Sequence, residues 1–70
     1  MIIQFHLLDK RSNTFTKVYF EGWNDRAPFF TNDPKKAKQY WQKKQAEEDM
    51  ELLKWAQSPI AITLSIKLVQ

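Results

Sequence analysis

The stretch Ile60–Val69, IAITLSIKLV, alternates apolar and polar residues without a break. Ile60, Ile62, Leu64, Ile66 and Leu68 fall on one side, and Ala61, Thr63, Ser65, Lys67 and Val69 on the other. Successive side chains of an extended chain point to opposite faces, so this period of two predicts a strand with one face buried and one wet. The chain must therefore build a sheet that is covered on one side only.

Two earlier segments supply partners. MIIQFHLL (Met1–Leu8) sets Ile3, Phe5 and Leu7 at alternate positions. TFTKVYF (Thr14–Phe20) is rich in β-branched and aromatic residues. Between them DKRSN (Asp9–Asn13) is turn chemistry, because Asp, Ser and Asn side chains bond their own backbone. A helix is predicted from NDPKK, with Asp33 as N-cap and Pro34 at the first helical position, where its missing N–H is not needed. It is expected to run to about Ala56 and to stop at QSP, because Pro59 pushes Ser58 out of the helical region.

The predicted fold class is α+β, a single small domain over residues 1–70 with element order ββαβ. Its sheet has three strands in the order 2-1-3, the first antiparallel to both neighbours, and one long helix packs on one face. The crossover makes the second and third strands parallel to each other and right-handed in connection. Phe5, Phe20, Trp41, Ile62, Leu64 and Ile66 are expected to be buried. Gln4, His6, Phe15, Lys17, Tyr19, Thr63, Ser65 and Lys67 are expected on the open face.

With 70 residues and no cysteine, no disulfide or thiolate metal site supports the fold. A core of this size nets only about 3–5 kcal/mol. Aromatic residues, 14% of the chain, are one way to supply it, and association of subunits is another. No apolar run approaches the roughly 18 residues of a membrane span, and the N-terminus lacks a signal-peptide pattern. A cytoplasmic protein is expected.

Catalytic groups are sparse. The one histidine, His6, has no cysteine or second histidine to share a metal, and EEDME (Glu47–Glu51) reads as a solvated helix face. A single glycine cannot form a phosphate-cradling loop. No catalytic residue, metal or cofactor is expected, unless a deep pocket gathers Asp25, Arg26 and His6.

The predicted helix has two irregularities. Lys35, Lys36 and Lys38 crowd its start and Glu47, Glu48, Asp49 and Glu51 its second half, against the helix dipole. Its apolar residues also fall in two phases at about 100° per residue. Ala37, Tyr40, Trp41, Leu52 and Trp55 share one side, and Ala46, Met50 and Leu53 the other. The second group is expected to be a spare stripe that a partner covers. The segment EGWNDRAPFFTNDP (Glu21–Pro34) reads as a loop with three large aromatics. Phe29 and Phe30 are placed to plug the core, while Trp23 and Arg26 are candidate contact residues.

FHLLDK, FTKVYFEGW and FFTNDPKKAKQY, followed by an amphipathic closing strand, resemble many small uncharacterised proteins of phages and prophages. That resemblance implies a protein that binds and blocks a host protein or a nucleic acid, and it carries over no functional residue. The expected function is a non-catalytic binding module, an inhibitor or adaptor, using Trp23, Arg26, Lys35, Lys36, Lys38, Ala46, Met50 and Leu53. The alternative is a nucleic-acid-binding protein using Phe15, Lys17, Tyr19 and Lys67. A homodimer is expected through the edge of the last strand or through the helix stripe.

Overall fold

The computed structural model describes residues 1–55 and 61–70. Ile60 and the expected helix stop around Pro59 lie outside the described residues, as does the expected burial of Ile62. The elements are β1 (Ile2–Asp9), β2 (Thr14–Asn24), β3 (Ala27–Thr31), a 3-10 turn (Pro34–Lys36), α1 (Lys43–Leu53) and β4 (Ala61–Val69).

The fold is α+β with one α-helix on an antiparallel sheet, but the sheet has four strands in the order β3-β2-β1-β4. The expected three-stranded 2-1-3 arrangement lacked β3, whose five residues APFFT lie in the supposed loop. Pro28 is tolerated there because β3 is an edge strand, where one face of its backbone has no ladder to complete. The connection from β2 is tight: Asn24 pairs with Ala27, and Asp25 takes the left-handed conformation (φ 56°) that Asp accepts more readily than most residues. The turn between β1 and β2 is built as its chemistry implies. The Asp9 carboxylate accepts from the Arg11 and Ser12 amides, and the Asn13 amide bonds the Asp9 carbonyl at 2.8 Å.

Two bulges re-phase the sheet. In β2, Phe20 pairs with Phe30 and Gly22 with Phe29, leaving Glu21 as the extra residue. Trp23 thereby packs on the same side as Phe20, with ring centroids 5.1 Å apart. Gly22, the chain's one glycine, has φ +156°, a conformation that a side chain disfavours even though no atom lies within 4 Å of a built Cβ. In β4, His6 pairs with Ser65 but Leu7 pairs with Thr63, so Leu64 is the extra residue. Leu64 is 47% exposed, which corrects its expected burial, and Thr63 stands opposite Leu7 rather than in the open-face register.

The long helix is also corrected. Asp33 does cap Pro34–Lys36, but the backbone then turns extended at Ala37 (ψ 149°) and α1 starts only at Lys43. The cause is competition for backbone donors. The Lys38 amide bonds the Phe20 carbonyl at 2.9 Å, and the Tyr40 amide bonds the Met1 carbonyl at 2.8 Å. Donors taken by strand ends cannot serve a helix ladder.

The break resolves the two-phase pattern. Ala37 and Tyr40 are buried from the extended segment, while Ala46 and Leu53 are buried from α1. The core is Ile3, Phe5, Phe20, Tyr40, Ala46 and Leu53, with Val18, Trp23, Met50, Ile66 and Leu68 packed around it. Ala46 and Leu53 are therefore interior and Met50 packs beside them, so the expected spare stripe is covered within the chain itself. Trp41, expected inside, is 91% exposed.

Phe20→Ala should remove about 3–5 kcal/mol and unfold the domain. Leu64→Ala should cost about 1 kcal/mol, since only half of its side chain is withdrawn from water. Urea melts of both variants check the pair, and similar losses would refute the bulged register. Gly22→Ala should cost about 1–3 kcal/mol through backbone strain alone, read as a lower urea midpoint with an unchanged slope.

Candidate functional site

Among the described residues an open cleft of about 500 Å³ is lined by Trp23, Asp25, Arg26 and Pro28 from the β2–β3 hairpin, by Leu52 from the C-terminal end of α1 and by Trp55 just after it. The hairpin reaches the helix because the β2 bulge turns Trp23 inward. The Trp23 indole N–H donates to Asp49 Oδ1 at 3.3 Å. The Tyr40 hydroxyl and the Lys38 ammonium both donate to Asp49 Oδ2, the latter at 3.3 Å. Lys38 also sits 5.1 Å from the centre of the Tyr40 ring. One carboxylate thus ties together β2, the extended segment and α1. Burial, the bond to Asp49 and the Asp49 charge, in that order, hold the Tyr40 phenol well above its ordinary pKa.

The floor and rim of the cleft differ in character. Trp23 and Pro28 are half-buried, while Asp25 and Arg26 are exposed at the turn. Leu52 is 60% and Trp55 79% exposed, so the end of α1 and the turn after it show two large apolar side chains to water beside the hairpin.

Of the expected contact residues, Trp23 and Arg26 meet in this cleft. Lys35 and Lys36 are exposed on the 3-10 turn and do not line it. Lys38 is engaged by Asp49, and Ala46, Met50 and Leu53 belong to the core region. Leu52, Trp55, Asp25 and Pro28 were not among the expected contacts. Leu52 and Trp55 were grouped with the core-facing side of a continuous helix, and the shorter α1 turns that side outward. His6 is elsewhere, on the open face beside Phe15 with ring centroids 5.8 Å apart, so Asp25, Arg26 and His6 are not gathered.

The open face brings the other candidate set together. Tyr19 pairs with Gln4, which pairs with Lys67, and Lys17 pairs with His6, which pairs with Ser65. Phe15 pairs with Leu8. Directly paired residues share a face, so Phe15, Lys17, Tyr19 and Lys67 stand together on the side away from α1. Phe29 and Thr31 alternate onto this side from β3, whereas Phe30 packs edge-on against Phe5 at 5.0 Å.

Among the described residues, no group of three or more His, Cys, Asp or Glu side chains could hold a metal ion, and no helix is long and apolar enough to cross a membrane. Comparison with protein-family models, curated proteins and solved structures gives no significant match.

Tyr40→Phe should cost about 1–3 kcal/mol at neutral pH by leaving a partly buried carboxylate one donor short. It should also remove a pH dependence. Below about pH 10 the phenol is protonated in both states. Above it the unfolded chain ionises while folded Tyr40 keeps its proton, so the wild type loses stability as pH rises through and beyond the ordinary tyrosine value. Urea melts of both proteins from pH 7 to 11 should show a steeper alkaline loss for the wild type, and parallel curves would contradict the assignment.

Proposed function

We propose that this chain is a non-catalytic binding module that engages a protein partner through the cleft between the β2–β3 turn and the end of α1. The observation that carries this reading is the pair Leu52 and Trp55. They lie exposed at the helix end, beside a floor of Pro28 and of Trp23, whose indole is held by its bond to Asp49. Tryptophan and arginine dominate the energetics of protein interfaces, and a preformed pocket lowers the entropy cost of docking. Arg26 and Asp25 at the rim supply one charge of each sign to fix orientation.

Following the resemblance to small phage-type proteins, the partner is a host protein and the site of action is the cytoplasm, with the chain acting as an inhibitor or adaptor. A different protein is favoured over a second copy of the chain. The Ala46–Met50–Leu53 stripe is no longer free, and the Leu64 bulge interrupts the outer edge of β4, a common device against edge-to-edge pairing.

Immobilised wild-type chain should retain a specific protein from lysate of the host. A Leu52→Ala/Trp55→Ala variant, folded to the same melting temperature, should bind that protein at least about 30-fold more weakly. Arg26→Glu should weaken it by a smaller factor. Equal retention by the double variant would end the reading. Sedimentation equilibrium of the free chain should report 8.4 kDa.

A further inference from the structure

We infer that the sheet face opposite α1 binds single-stranded nucleic acid, independently of the cleft. Three aromatic side chains stand on that face. Phe15 is 66% exposed, Phe29 49%, and Tyr19 is half-buried between them. Phe15, Lys17 and Tyr19 follow one another at every second position of β2, so the two rings are about 13–14 Å apart along the strand with an ammonium between them. Lys67 stands across the sheet in the Tyr19–Gln4–Lys67 row. Flat rings interleaved with cations are what an unpaired strand needs, since every base offers a π-face to stack and every link a phosphate to neutralise.

Charge complementarity points to the same occupant. Four of the chain's eight carboxylates, Glu47, Glu48, Asp49 and Glu51, lie on α1, which packs on the other face of the sheet. Asp9 is turned into its own turn by bonds from Arg11 and Ser12. Glu21, at the bulge, is the carboxylate of β2 and lies beyond Tyr19, at the end away from Phe15 and Lys17. The four carboxylates of α1 outnumber its Lys43 and Lys44 and leave the helix net negative, whereas Lys17 and Lys67 place positive charge on the opposite face of the sheet. A duplex is a poor fit, because its bases are already stacked and paired, and two lysines neutralise few phosphates.

The probe is a fluorescein-labelled oligothymidylate of about twelve nucleotides, followed by anisotropy between about 50 and 200 mM salt. Binding should weaken with salt, with a slope of log K against log salt that includes about −0.7 for each phosphate contact. Lys17→Gln with Lys67→Gln should flatten that slope by about 1.4. Phe15→Ala should weaken binding roughly 5- to 150-fold with the slope unchanged. If Phe15→Ala does not fold, Phe15→Leu serves, since it keeps the bulk and removes the ring face. Trp55→Ala should bind the oligonucleotide like the wild type, which separates this face from the protein-binding cleft. No binding at the lower salt, variants indistinguishable from the wild type, or a duplex bound as tightly as the single strand would each overturn the proposal.

Discussion

The carboxylate of Asp49 is the point at which three separate parts of the chain are held to one another. Trp23 arrives from the β2–β3 hairpin, Tyr40 and Lys38 from the extended segment, and Asp49 itself from α1. In a domain whose net stability is about 3–5 kcal/mol, hydrogen bonds to a charged group worth about 1.5–3 kcal/mol each are not decoration. Apolar packing alone is non-directional and would leave the helix free to slide over the sheet. Three donors converging on one carboxylate give the layer a register, and removing any of them leaves a largely buried charge less well solvated.

That junction depends in turn on two backbone events distant from it in sequence. The bulge at Glu21–Gly22 lets Phe20 and Trp23, three residues apart, face the same side. Without it, strict alternation would send the Trp23 indole to the open face. The Phe20 and Met1 carbonyls then capture the Lys38 and Tyr40 amides, holding the segment extended and presenting Tyr40 to Asp49. The bulged stretch of β2 and the residue preceding β1 thus position the indole, the phenol and the ammonium together.

Much of the sheet was legible in the sequence, and the failures have identifiable causes. Ile3, Phe5 and Phe20 alternate as half-buried strands must, and the Asp9–Asn13 turn carries its own chemistry. Leu64 was not legible, because IAITLSIKLV alternates perfectly and a bulge is decided by the partner's register, not by local pattern. β3 was hidden by Pro28 and by its five-residue length. The helix was misjudged for a subtler reason. The two apolar phases, Ala37–Tyr40 against Ala46–Met50–Leu53, were the visible sign of a break, but its cause lies in carbonyls of Met1 and Phe20 that no local window contains. The cleft was half legible: Trp23 and Arg26 stand out as an aromatic and a cation in a polar turn, whereas Leu52 and Trp55 become surface residues only once the helix is known to be short.

The distribution of aromatics links this architecture to function. The chain has ten aromatic residues, yet Phe5, Phe20 and Tyr40, with Trp23 and Phe30 at the margin, suffice to build the aromatic part of the core. Phe15, Phe29, Trp41 and Trp55 stay in water, where they contribute little to folding and invite non-specific association. They are not scattered evenly: Phe15 and Phe29 lie on the sheet face with Lys17 and Lys67, and Trp55 lies on the opposite layer with Leu52 and Arg26. Because a single short helix covers only one side of a four-stranded sheet, the fold leaves two chemically different surfaces, one basic and flat, the other apolar and concave. The two differ in charge as well as shape, because the carboxylates of α1 lie on the helix side and Lys17 and Lys67 on the other.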